Sequence, residues 1–338
     1  MFKKLLISML LLFLVLGSSC AVKESNTINN GERKFSPTSS SKNESRAPRG
    51  DLANWKQVYV DDFDEYGNVP VGSFADCELT QSKCKGLTEP LRSRWWAFPK
   101  GWGDTARQHR YPVSGQSNPD ETVSIEDGKL KIVMKSDGNE VQGVTLFPKA
   151  AEGQTYGKYV IRFKADPTPG YRIAWKLVPV DEAACPGCEI SFPELELDQE
   201  ITGLVRHRIG LEPSQVDRYQ TDKKVGEWHI ATIEWSPGSV EFFLDGEKLK
   251  GTDPNGRMLE KSSASSIPDQ PANWFIQCES ALDERAKKKQ VVAQKHSTAT
   301  IQIDWIAIYS YKGKNRGQEQ SPDIQEKGAA SNKVAFFF

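Results

Sequence analysis

Tyr159-Val160-Ile161-Arg162-Phe163-Lys164 sets its apolar residues at 159, 161 and 163, alternating with mostly polar neighbours. A β-strand turns successive side chains to opposite faces, so this pattern buries one face of a strand and leaves the other toward solvent. Ile301-Gln302-Ile303-Asp304-Trp305 repeats it further along. Asp127-Gly128 and Asp245-Gly246 each stand beside a strand-like run, as two-residue hairpin turns with positive φ require. Sustained helical periodicity is nearly absent between 51 and 312; the best helix candidate is the charged stretch Leu282–Gln290, whose Lys287-Lys288-Lys289 run reads as a solvated face. Many short strands with such punctuation predict one all-β, antiparallel sandwich rather than two domains, since all-β units commonly reach about 200–250 residues.

Outside 51–312 the composition changes. Lys3 and Lys4 precede an apolar run from Leu5 to Leu16, broken only by Ser8 and followed by Gly17-Ser18-Ser19-Cys20. The run is shorter than the about 20 residues a spanning helix needs, so residues 1–20 read as an export signal. The small residues directly before Cys20 resemble a bacterial lipoprotein cleavage site, although Gly17 stands where an aliphatic residue is usual. Lipidation of Cys20 would tie the exported chain to a bacterial membrane, at the cell surface or in the periplasm; ordinary cleavage without lipid is the alternative. Residues 21–50, rich in Ser, Asn, Lys, Glu and Pro, are expected to form a solvated tether, and 313–338 a polar tail. All nine Trp lie in 51–312. The 44 Lys and Arg nearly balance 45 Asp and Glu, for a net charge of −1, which argues against a nucleic-acid partner.

Glu189-Ile190-Ser191-Phe192-Pro193-Glu194-Leu195-Glu196-Leu197-Asp198-Gln199-Glu200 carries five carboxylates in twelve residues, interleaved with apolar ones. Same-face neighbours on a strand are about 6.6 Å apart, so such acids crowd one space and repel, raising at least one pKa. A glycosidase needs that arrangement: one carboxylate to attack the sugar and one protonated carboxyl to assist the leaving oxygen. The plainer reading is an exposed strand whose charges discourage edge pairing.

Working outward from this cluster, the chain resembles glycoside hydrolase family 16. The shared blocks are Val60-Asp61-Asp62-Phe63-Asp64, Val123 to Leu130, Tyr156-Gly157 with the strand after it, Glu227-Trp228-His229 running to Asp245-Gly246, and Ile303 to Tyr309. The resemblance implies a β-jelly-roll sandwich of the lectin and glucanase type. It also implies an endo-acting, retaining β-glycoside hydrolase that needs no cofactor or metal, acts as a monomer and takes a polysaccharide such as β-1,3- or β-1,3-1,4-glucan. The family's Glu-hydrophobic-Asp…Glu signature fits two registers. In the first, Glu189 is the nucleophile and Glu194 the acid/base, and a one-residue β-bulge near Pro193 must bring them to one face. Ser191 then replaces the assisting Asp, which leaves open a glycan-binding protein with impaired chemistry. In the second, Glu196, Asp198 and Glu200 share a face without a bulge. The Pro186-Gly187 approach and the position of His207 favour the first.

Sugar rings have apolar faces and polar rims, so Tyr171, Trp175 and Trp274 are candidate platforms, and His207, Gln277 and Glu279 candidate hydroxyl partners. Trp95, Trp96 and Trp102 are candidates for a rim. Trp235 and Trp305 read as core, His229 as structural, and Asp61, Asp62 and Asp64 as an exposed acidic strand start rather than a calcium site. Once Cys20 is set aside, export permits Cys77–Cys84 and Cys185–Cys188 disulfides, leaving Cys278 unpaired; other pairings stay open.

Overall fold

A computed structural model describes residues 46–72, 91–207, 216–262 and 267–313. The export signal, Cys20, most of the tether, Cys77, Cys84 and the tail beyond 313 lie outside the described residues. In chain order the strands are β1 (Trp55–Asp61), β2 (Trp95–Ala97), β3 (Ser114–Ser117), β4 (Val123–Glu126), β5 (Lys129–Ser136), β6 (Glu140–Pro148), β7 (Gly157–Ala165), β8 (Tyr171–Pro179) and β9 (Glu189–Glu196). There follow β10 (Glu200–Arg206), β11 (Val216–Lys224), β12 (His229–Ser236), β13 (Ser239–Leu244), β14 (Glu247–Lys248), β15 (Gly251–Thr252), β16 (Met258–Leu259), β17 (Ala272–Ser280) and β18 (Thr298–Tyr311).

They form the antiparallel sandwich that the alternation predicts, in the jelly-roll form that the family resemblance implies. One layer runs β14-β13-β12-β7-β18, with β1 and β5 sharing the far side of β18 and β4 on β5. The other runs β2-β6-β17-β8-β9-β10-β11-β15-β16. Strand β6 belongs to both, since it also pairs with β5 and, in parallel, with β3. At the opposite edge Val240 and Ser262 exchange two backbone hydrogen bonds of 2.9 and 3.0 Å.

Aromatic side chains from the two layers meet in the core: Phe163 on Trp175 at 4.7 Å, Tyr159 on Trp274 at 5.2 Å and Phe192 stacked on Phe242 at 5.0 Å between ring centroids. Trp235 joins this core, while Trp305 is buried in a smaller cluster with Trp55 and Tyr309 on the other face of its layer. Both Asp-Gly turns have positive φ, 51° and 66° at Asp127 and Gly128 and 52° and 82° at Asp245 and Gly246. His229 is structural, its Nδ1 lying 2.8 Å from Asp245 Oδ2.

Two expectations change. The helix shrinks to one turn, Glu284–Lys287, whose first-turn N–H of Ala286 is capped by Asp283 Oδ1 at 2.8 Å. Apolar residues at helical spacing are too few there to bury a longer face. Asp61 is buried rather than exposed: its carboxylate accepts from Tyr59 and Tyr66 hydroxyls, both at 2.7 Å, and from the Trp95 indole at 3.0 Å. Satisfied in this way, a carboxylate can sit inside the fold.

Candidate active site

Strands β17, β8, β9 and β10 lie side by side, and residues directly opposite across an antiparallel pair share a face. On one face Arg172 stands between Glu279 and Glu196, Ala174 between Gln277 and Glu194, and Lys176 between Phe275 and Ser191. Arg206 stands opposite Glu189. Ile190, Phe192, Leu195 and Leu197 fill the core on the other face.

Strict alternation cannot place both Glu189 and Glu194 outside the core, and the pairing shows how β9 does so. From Ala174 to Lys176, two residues on, β8 passes three residues of β9, Glu194 to Ser191; β10 does the same between Thr202 and Leu204. The extra residue falls at Phe192-Pro193, whose peptide bond is cis. Proline lacks the ladder N–H that a bulge would leave unpaired. Glu189, Ser191, Glu194 and Glu196 therefore share the face away from the core.

The second register is broken by a turn. Strand β9 ends at Glu196, Gln199 N returns to Glu196 O at 2.8 Å, and Glu200 opens β10. Asp198, in the turn, is held by Arg285 Nη1 and Nη2 at 2.7 and 2.9 Å. Glu196, Asp198 and Glu200 do not lie along one strand.

Over this face runs a cleft of about 550 Å³ lined by Glu189, Glu194, Gln277, Glu279, Arg172, Lys176 and Arg206, with Phe98, Trp102 and Phe275 as its aromatic surfaces. At its floor the buried Arg172 reaches three carboxylates: Nη2 lies 2.6 Å from Glu194 Oε1, Nη1 3.5 Å from Glu279 Oε1, and Nε 3.9 Å from Glu196 Oε1. Glu279 Oε2 also accepts from Thr105 N at 3.0 Å and Gln277 Nε2 at 2.7 Å.

The three acids are driven apart electrostatically. Burial pushes Glu194 up, but Arg172 foremost, then the Ser191 hydroxyl, Lys176 and Arg206, overrule it and hold this carboxyl below the ordinary range. Neither Ser191 Oγ nor Glu194 Oε2 completes a hydrogen bond. Glu196 is raised to about 7 by burial, which Arg172 and the Leu282 N–H only partly offset. Burial also raises Glu279, and Asp104 adds to the effect. Among the described residues no group of three or more His, Cys, Asp or Glu is placed to hold a metal ion.

Gln277 and Glu279 thus line the cleft with Glu189 and Glu194, while Ser191, on the same face of β9, is fully buried and outside the cleft lining. Tyr171, Trp175 and Trp274 do not reach it: all three are in the core, and the Tyr171 hydroxyl donates to Ser297 O at 2.7 Å. His207 lies outside the cleft lining, its Nε2 2.9 Å from Asp217 Oδ2. Of the rim candidates only Trp102 lines the cleft; Trp95 is buried on Asp61, and Trp96 sits under the Lys149 ammonium at 4.1 Å. The Cys185–Cys188 disulfide is formed directly before Glu189, and Cys278 is free and buried. Arg172, Lys176 and Arg206 were not among the sequence candidates. For Arg172 and Lys176 the signal is parity: in Tyr171-Arg172-Ile173-Ala174-Trp175-Lys176-Leu177 the apolar odd positions claim the core, so these two cations face outward.

No family model matches the sequence, and no curated protein matches it closely. Solved structures do match. A laminarinase from Flavobacterium sp. UMI-01 superposes with a TM-score of 0.53 at 17% identity, covering 75% of this chain and 100% of its own. An endo-1,3-β-glucanase from Streptomyces sioyaensis gives 0.55 at 14%, covering 79% and 100%. SCLam, a non-specific endo-β-1,3(4)-glucanase from family GH16, gives 0.52 at 16%, covering 78% and 94%. Identities this low speak for architecture alone, and at that level the chain carries the β-glucanase-like fold of glycoside hydrolase family 16.

Proposed function

We propose that the cleft is the active site of a retaining endo-β-glycoside hydrolase, with Glu189 as nucleophile and Glu194 as acid/base. The observation that carries this reading is the bulge, which sets Glu189, Ser191 and Glu194 on one face of a cleft with aromatic walls. Neighbours of this fold that act on β-1,3-glucans support a β-1,3- or β-1,3-1,4-linked backbone as substrate. The chain is proposed to work as an exported monomer, tethered to a bacterial membrane through Cys20.

Glu189 attacks the anomeric carbon while Glu194 protonates the leaving oxygen; water deprotonated by Glu194 then releases the sugar with its configuration kept. Arg172 opposes the first step, because it stabilises the ionised form of the group that must donate a proton. It favours the second, where Glu194 acts as base. Formation of the glycosyl-enzyme therefore carries the added cost of protonating Glu194, and activity is expected to rise as pH falls, which a pH–rate profile on laminarin checks.

Ser191 and the Arg172–Glu194 pair favour a second reading, a surface protein that binds the glycan without cutting it. The two are separated by reducing-end assays on laminarin, lichenan, agarose and carrageenan with wild type, Glu189→Gln and Glu194→Gln, product stereochemistry being followed by NMR. Hydrolysis lost by at least about 100-fold in each variant is expected, removal of one general acid/base alone costing about 10²–10⁴-fold. Undiminished hydrolysis in both removes the assignment, and wild-type binding without new reducing ends selects the second reading.

A further inference from the structure

The cations of the cleft fall into two groups. Arg172 is matched by Glu194, Glu196 and Glu279. Lys176 and Arg206 line the same cleft half-buried, and neither makes an ion pair or side-chain hydrogen bond with any described residue. Lys176 is directly across β9 from Ser191, and Arg206 directly across from Glu189 on the other side. The two cations thus straddle the stretch of β9 between the proposed nucleophile and Ser191. The cleft's remaining unpaired acids, Glu189 and the exposed Glu182, bond to neither of them.

Residue 191 puts no charge directly across from Lys176. An aspartate there would face the ammonium across the strand pair; the serine hydroxyl brings no charge. Both cations feel the Glu194 carboxylate at longer range, but neither has an oxyanion in direct contact, and the open side of the cleft can supply one from the ligand. Charge-assisted hydrogen bonds to an oxyanion are about twice as strong as neutral ones, and the guanidinium fork matches two oxygens of one anionic group.

We propose that the polysaccharide taken by this cleft bears anionic substituents, sulfate esters or carboxylates, which Lys176 and Arg206 hold beside Ser191. This rests on the cleft being a glycan site and adds the charge of the glycan to it. Phe98, Trp102 and Phe275, packed on one another, form the aromatic wall of the same cleft.

Calorimetric titration of the full chain with laminarin, sulfated laminarin and carboxymethylated laminarin tests the inference. Wild type is expected to bind one or both anionic polymers at least about tenfold more tightly than the neutral one, with the difference shrinking as salt is raised. Whichever anionic polymer binds more tightly identifies the substituent. Lys176→Gln and Arg206→Gln should each cut the preference for the anionic polymer over laminarin severalfold, and the double variant should abolish it. Lys288→Gln/Lys289→Gln, at exposed positions, should leave the preference intact.

Equal binding of all three polymers by wild type overturns the inference. So does a preference that survives in the double variant or disappears in the Lys288/Lys289 control. A loss of hydrolysis in Lys176→Gln and Arg206→Gln with no preference in wild type would assign both cations to Glu189 and overturn it as well. If wild type shows no preference while Glu189→Gln still abolishes hydrolysis of laminarin, the inference falls and the hydrolase reading stands. Failure to bind any of the polymers overturns both.

Discussion

Glu196 and Glu194, neighbours on one face of β9, are held in opposite protonation tendencies by burial and by Arg172. Raised from 4.5 to about 7 in the fold, the Glu196 carboxyl contributes stability that is fully present below about pH 4.5 and lost as pH rises through 7. Glu196→Gln keeps an acceptor for the Leu282 N–H and removes the ionisation. The variant is expected to match wild type at pH 5 and to exceed it at pH 8 by on the order of 2–3 kcal/mol; urea denaturation at the two pH values decides, and parallel pH profiles would refute the assignment. At this scale the sequence was legible where chemistry and parity agreed. Gln277 and Glu279 were found because a polar residue at an outward position of β17 has few other roles. Trp175 and Trp274 suit a sugar platform by chemistry, but each shares parity with apolar neighbours, Ile173 and Leu177 for the first and Ile276 for the second, and goes to the core. Arg172 was passed over because a cation gives no hint in a string of letters that three glutamates from two other strands will surround it.

At the level of elements, the bulge and the turn determine which of the acids share a face. Residue spacing counts letters, whereas a face counts pleats: the bulge at Phe192-Pro193 adds a letter without a pleat, and the turn after Glu196 ends the strand. Pro193 made the bulge readable in advance. Nothing in Leu197-Asp198-Gln199 marks a turn strongly, because the reversal is fixed from outside by Arg285 on Asp198. Gly203 on β10 lies against the bulge, and a Cβ there would stand 2.9 Å from Phe192 Cδ2 and 3.1 Å from Ser191 O. Gly203→Ala must therefore displace Phe192 or the β9 backbone. It is expected to lower stability by about 1–3 kcal/mol, in the range of overpacked cores, and to weaken hydrolysis or glycan binding as Ser191 and Glu194 shift. Urea titration with a reducing-end or binding assay checks both, and wild-type values would mean that the bulge yields freely.

Across the whole molecule, the alternation along Tyr159–Lys164 and the Asp-Gly turns foretold a sandwich, but not that one strand would serve both layers. The two faces of the β17-β8-β9 layer make separable predictions. Trp175→Ala, emptying the core against Phe163, should cost about 3–5 kcal/mol; Trp102→Ala, in the cleft wall, should change stability by less than about 1 kcal/mol and weaken binding instead. Thermal and urea melts beside laminarin titrations distinguish them, and a destabilised, binding-competent Trp102→Ala would reverse the assignment. Strand β6 makes the sandwich resemble a bound book: the layers are stitched along one spine, and the described fore-edge is clasped at Val240 and Ser262. Breathing should begin at that fore-edge, so amides of β13 to β16 are expected to exchange with deuterium well before those of β6, β17 and β8. Beside the spine, Arg172 and Glu279 ride on the pages that open last, so the floor of the cleft keeps its geometry through fluctuations that loosen the far margin.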